Sequence, residues 1–109
     1  MNIQIFAKNK CFDSKKAERY FKERGLKYQR IDVHDKGLSK GELRSVIAAI
    51  GLDALIDDKS PDYILWSHLS DECKLDKLLE TPSLYRTPIV RNGKAATAGY
   101  CPDTWKTWS

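Results

Sequence analysis

Cys11 sits where two patterns meet. Before it runs "IQIFA", which reads as a buried strand, and after it "FDSKKAERYF", which has helical spacing. Ser14 follows three residues on, and Lys8, Lys10, Lys15 and Lys16 surround the pair. A cysteine at a helix N-terminus faces unpaired N–H groups and the positive end of the helix dipole. With nearby lysines, these can lower a thiol pKa from about 8.5 into the roughly 3.5–7.5 range of reactive cysteines. A small apolar residue filling a strand–helix corner is the other reading of Cys11, and the residues alone leave both open. The remaining cysteines, Cys73 and Cys101, make an odd number at wide spacing, which argues against a secreted disulfide framework. No CxxC pair or Cys/His cluster has metal-ligand spacing. His34 and His68 read as surface residues, and no metal is expected.

The elements that must hold Cys11 are legible around it. Residues 2–7 alternate as a strand. Ala17, Tyr20 and Phe21 then recur at i, i+3, i+4, with Gly25 as the stop. "KYQRIDV" (27–33) returns to strand alternation. A right-handed crossover makes these two strands parallel. "LSKGELRSVIAAIG" (38–51) predicts a helix with a Ser39/Glu42 capping box, an apolar stripe of Leu43, Val46, Ile47 and Ile50, and a stop at Gly51. A helical turn is expected at "LDALID", residues 60–69 are ambiguous, and 70–80 predicts a helix with Leu75, Leu78 and Leu79 inward. Cys73 lies off that stripe and reads as an exposed or rim thiol. "TPIVR" and "KAATAGY" flank Asn92–Gly93, the dipeptide of a type I′ hairpin. Pro88 stands at the start of its strand, where proline is tolerated and a cis bond is a deliberate feature. Pro102 and Asp103 open a last helix whose Trp105 and Trp108 read as core or cover for the sheet.

Composition narrows the function classes. The 109 residues are 41% hydrophobic and 31% charged, as in an ordinary globular domain. There is no apolar run of about 18 residues, so no membrane partner is expected. No secretory leader pattern is visible at the N-terminus, and the cytoplasm is the expected compartment. The net charge of +4 is spread through interleaved acids and bases, as in "KKAERYFKER". That is the pattern of solvated helix faces rather than of a nucleic-acid footprint.

The order βαβ, helical block, ββα, with a cysteine after the first strand and a Thr-Pro before the third, resembles the thioredoxin fold. It is closer to the arsenate reductase (ArsC) family coupled to glutaredoxin, which includes the Spx-type transcription regulators. The family's catalytic loop reads Cys-x-x-Ser-Arg, and here "CFDSK"; its Arg-Pro-Ile-Val strand is here "TPIV" at 87–90; its final loop and helix match "GYCPDTW". The resemblance implies one α/β domain over 1–109, a four-stranded mixed sheet, and a helical insertion at about 38–80. It implies Cys11 as nucleophile, Ser14 as the hydroxyl that hydrogen-bonds its thiolate, and Lys15 in place of the loop arginine. Lys10, Arg86, Thr87 and a cis Pro88 would meet substrate, with Thr87 and Pro88 offering an edge to an extended thiol peptide such as glutathione; a plain structural turn is the other reading of that pair. Cys101 would either resolve Cys11 in a two-cysteine cycle or merely begin the last helix.

Asp57, Thr87 and Cys101 stand where the arsenate reductases carry arginines, and losing three guanidinium forks removes bidentate oxyanion recognition. Arsenate reduction is therefore not expected. The implied activity is a thiol-dependent reductase that forms mixed disulfides at Cys11 with glutathione, glutaredoxin or a protein thiol. No bound cofactor is needed, and glutathione would be a co-substrate. The alternative is an Spx-like regulator acting on RNA polymerase without catalysis.

Overall fold

A computed structural model of the chain describes residues 2–57, 59 and 63–108. Its strands are β1 (Ile3–Ala7), β2 (Tyr28–Asp32), β3 (Ile89–Asn92) and β4 (Ala95–Ala98), and they form one sheet in the order β2-β1-β3-β4. β1 pairs with β2 in parallel, as the crossover rule requires, while β1–β3 and β3–β4 are antiparallel. Among the described residues the α-helices are α1 (Phe12–Glu23), α2 (Lys40–Ile50), α3 (Tyr63–Trp66), α4 (Asp71–Glu80) and α5 (Pro102–Trp105). The chain has the expected mixed α/β, thioredoxin-like architecture. No helix among the described residues is long and apolar enough to cross a membrane.

Period-2 alternation divides the sheet into two cores. Ile3, Ile5 and Ala7 of β1 and Val90 of β3 pack on one face with Ala17, Tyr20 and Phe21 of α1 and with Trp105 of α5. Phe6 and Ile89 face the other way, onto Leu43 and Val46 of α2 and Leu78 of α4. Trp105 is 1% exposed, and its indole N–H donates to the Thr97 hydroxyl at 2.8 Å, so this aromatic is buried without an orphaned donor. Trp108 packs partly buried against the same core.

The helix ends follow local chemistry. Ser39 caps α2, its hydroxyl accepting from the Glu42 N–H while the Glu42 carboxylate accepts from the Ser39 N–H, the complete capping box. Three details differ from expectation. The hairpin turns at Gly93–Lys94, one residue late, because Asn92 pairs with Ala95. Gly93 alone takes a positive φ, +61°, the sign pattern of a II′ turn with glycine first. In α4 the inward face holds Leu78 fully and Leu75 and Leu79 partly, but it also buries Lys74, whose ammonium reaches the exposed Asp53 carboxylate at 3.3 Å. The ambiguous 60–69 stretch contains the short α3, and its first three residues lie outside those described.

Candidate functional site

The site forms where β1 ends and α1 begins. Lys10 takes the left-handed conformation at φ +65°, at a cost of order 1 kcal/mol for a non-glycine residue. That turn, closed by the Cys11 N–H donating to the Lys8 carbonyl, makes Cys11 the N-cap of α1. The Cys11 carbonyl accepts the first helical bond from Lys15 N–H at 3.2 Å. Ser14, one turn in, is 1% exposed, and its hydroxyl oxygen accepts from the Lys8 N–H at 3.5 Å.

From the far end of the chain, the segment Tyr85–Pro88 arrives beside the sulfur. The Thr87–Pro88 peptide is cis. The Thr87 hydroxyl donates to Cys11 Sγ at 3.1 Å, and the thiol in turn has the Thr87 carbonyl at 3.7 Å. The two contacts serve different protonation states. A thiol donates to the carbonyl, whereas a thiolate accepts from the hydroxyl. Lys8, the residue after β1, fastens the same segment, its ammonium donating to the Tyr85 carbonyl at 2.8 Å. On the other flank, Gly99 takes φ +83° and donates its N–H to the Pro88 carbonyl at 2.9 Å, which brings the 99–101 loop against the site.

Burial alone would raise the Cys11 pKa. The hydroxyls of Ser14 and Thr87, and then the backbone N–H groups of Ser14 and Asp13, outweigh it and hold the thiol below its ordinary value. The lysines contribute differently from expectation. Lys10, Lys15 and Lys16 are exposed on the surface, with Lys15 lying 6.0 Å from the Phe12 ring. Only Lys8 is partly buried: desolvation lowers its pKa, while the charges of Asp57 and the Cys11 thiolate oppose that fall.

Cys11 and Thr87 open into a cleft of about 500 Å³ walled by Asp13, Asp57, Arg86, Gly99 and Tyr100, with Lys59 at its rim. Of the residues expected at the site, Cys11, Ser14, Arg86, Thr87 and Pro88 come together, whereas Lys10 and Lys15 do not line the cleft. Cys101 lies on the adjoining loop with its thiol donating to the Ala98 carbonyl at 3.4 Å, and it packs against the Trp105 core. Arg91 is directed elsewhere, to Gln4 and Glu42. Cys73 is exposed, as expected. Sequence reasoning missed Tyr100 and Asp13 as walls. Their signal was adjacency: Tyr100 follows the positive-φ Gly99, and Asp13 lies inside "CFDSK".

A single thiol at a helix N-terminus facing a cis-proline segment on a thioredoxin-like sheet defines the class of protein. Comparison with known proteins agrees. Residues 3–51 match the family model described as Glutaredoxin. The global transcriptional regulator Spx 2 of Oceanobacillus iheyensis is 28% identical over 109 residues, covering 94% of this chain and 80% of the relative. Among solved structures, an arsenate reductase from Vibrio cholerae superposes with TM-score 0.82 at 25% identity, over 95% of this chain and 94% of that one. An ArsC-family-related protein from Bacteroides fragilis superposes over the whole of both chains with TM-score 0.88 at 18% identity. The chain has the thioredoxin-like fold of these structures and is similar to proteins of the ArsC and Spx type.

Proposed function

We propose that the protein is a thiol–disulfide oxidoreductase with Cys11 as nucleophile, acting on mixed disulfides of glutathione or protein thiols. The observation that carries this reading is the Thr87 hydroxyl, 3.1 Å from Cys11 Sγ on the segment of the cis peptide. The Cys11 thiolate attacks one sulfur of a substrate disulfide R–S–S–R′, forming Cys11–S–S–R and expelling R′ as thiolate. A glutathione thiolate then attacks the R sulfur, restores the Cys11 thiolate and leaves as the mixed disulfide with R. In the intramolecular variant, Cys101 attacks Cys11 Sγ and R leaves as thiolate. The backbone beside Pro88 would pair with the extended substrate as an added strand.

The cleft does not favour a small oxyanion. Asp13 and Asp57 stand around the thiol together with Arg86, Lys59 and Lys8, so the field there is mixed rather than uniformly positive. Arsenate is accordingly left out of the proposed substrates.

The test is the pH dependence of alkylation with Cys73 and Cys101 replaced by serine, followed by turnover of a glutathione mixed disulfide. Iodoacetamide at pH 6.5 should modify Cys11 well before Cys73 in the native chain. Equal rates would remove the basis of the proposal.

The match to Spx 2 favours a second reading, a regulator that binds RNA polymerase. Under that reading purified RNA polymerase retains the protein, and Cys11→Ser binds as well as the native chain. Under the first reading Cys11→Ser is inert toward disulfides.

A further inference from the structure

Across Tyr100 from the thiol cleft lies a second cleft of about 550 Å³, formed by one face of α1 and the start of α5. Tyr100 belongs to both walls, so the two clefts are neighbours along one surface. The second is basic and aromatic. Arg24 stacks over the Tyr20 ring at 3.8 Å, and the Lys16 ammonium lies 5.6 Å from the Tyr100 ring centre. Arg19 pairs with Glu23 at 2.8 Å, and Lys106 lies 3.7 Å from the Asp103 carboxylate. Lys16 and Arg24 thus meet rings where Arg19 meets a carboxylate, and their charge is available to a ligand. The floor is Tyr20, 6% exposed, whose hydroxyl has no hydrogen-bond partner among the described residues.

The spacing of the charges identifies the ligand. Lys16, Arg19 or Tyr20, and Arg24 recur along one helical face, so Lys16 and Arg24 are about 12 Å apart along the axis at 1.5 Å per residue. Two cations this far apart along a helix face do not converge on one phosphate or one carboxylate. They match a line of charges, and an extended polypeptide covers about 12 Å in some four residues at about 3.3 Å each. A nucleic acid would offer such a line too, but it has no sulfur to bring to Cys11 across Tyr100.

We infer that this cleft docks an acidic segment of the partner polypeptide whose sulfur reacts at Cys11. It therefore rests on the oxidoreductase reading, and it specifies the substrate as a protein carrying Asp or Glu a short way along the chain from its cysteine. The basic row would act mainly on association, steering the acidic flank and weakening with added salt.

Two measurements separate this inference from the reading it rests on. The first uses Cys11→Ser protein, in which no exchange occurs, and a fluorescent cysteine-free peptide bearing four consecutive Glu. Binding should weaken about tenfold or more with Lys16→Glu/Arg24→Gln, survive Lys16→Arg, and fall with salt. Equal affinity for the native and doubly substituted clefts overturns the inference, as does binding of a single-stranded oligonucleotide of equal charge at least as tight as the peptide's. Circular dichroism establishes that each variant is folded. The second uses native protein and two cysteine peptides activated with thionitrobenzoate, one with an acidic flank and one neutral. Cys11 attacks the peptide sulfur and coloured thionitrobenzoate leaves. The acidic peptide should react faster, and Lys16→Glu/Arg24→Gln should erase its advantage while leaving the neutral rate unchanged. Identical rates for both peptides overturn the inference but leave exchange at Cys11 standing. No release from either peptide refutes the exchange reading, and the first measurement still decides the cleft.

Discussion

Cys11 and Cys101 are a pair of half-buried thiols, each at the N-cap of a helix and each beside the same cleft, yet their acidities move in opposite directions. Burial pushes both up. At Cys11 two hydroxyls and two backbone N–H groups reverse it. At Cys101 burial prevails, although the Thr97 hydroxyl and the Arg86 charge oppose it, and Asp13 adds to the rise. The helices differ as well, 12 residues for α1 against four for α5. A helix start is therefore not enough to activate a thiol. What distinguishes Cys11 is the set of donors aimed at the sulfur, above all a threonine 76 positions away in sequence. Thr97, by contrast, already accepts the Trp105 indole N–H.

The largest effect expected from this contrast is in exchange itself. Cys11→Ser should reduce turnover of a glutathione mixed disulfide to background, while Cys101→Ser leaves it largely intact. A Cys101→Ser variant as inactive as Cys11→Ser would mean the two thiols act as a unit. Next comes Thr87→Val, which deletes the donor while keeping the shape. A hydrogen bond to a charged group is worth about 1.5–3 kcal/mol, so alkylation of Cys11 at pH 6.5 should slow by about tenfold or more. The difference should shrink as pH rises and the thiol ionises in both proteins; a uniform loss at every pH would assign Thr87 a steric role instead.

A smaller effect is set by the raised pKa of Cys101, which makes it a weak attacking thiol at neutral pH. Glutathione disulfide should label Cys11 and leave Cys101 free by mass spectrometry. A Cys11–Cys101 crosslinked peptide would show that the 99–101 loop opens and that the intramolecular variant operates.

The smallest is thermodynamic and has opposite signs at the two sites. The folded pKa of Cys11 is depressed, so its contribution to stability is present above the ordinary thiol value and is lost as pH falls through the folded one. The folded pKa of Cys101 is raised, so its contribution is full below the ordinary value and is lost as pH rises toward the folded one. Urea denaturation from pH 6 to 9.5 should show Cys11→Ser removing a gain with rising pH and Cys101→Ser removing a loss. Parallel curves for both variants would contradict the opposite shifts.

Much of this protein is decided within a few residues of each position. Ser39 and Glu42 cap α2 because they lie three apart, and their bonds need nothing from the rest of the chain. Ala17, Tyr20 and Phe21 share a face of α1 by helical period, and Ile3 and Ile5 share a face of β1 by strand period, so the core residues were legible. The cysteine at a strand–helix junction and the Thr-Pro before a strand were legible for the same reason. What the tertiary structure decided is which of these meet. The order β2-β1-β3-β4 places β3 next to β1, and only that adjacency carries Thr87 to Cys11 and Lys8 to the Tyr85 carbonyl. Lys10 and Lys15, near Cys11 in sequence, lie on the exposed surface, while Asp57, Arg86 and Tyr100, distant from it, form its walls. Local pattern reflects hydrogen bonds and side-chain contacts among near neighbours, whereas a site is assembled from elements whose pairing is set by burying both faces of one sheet.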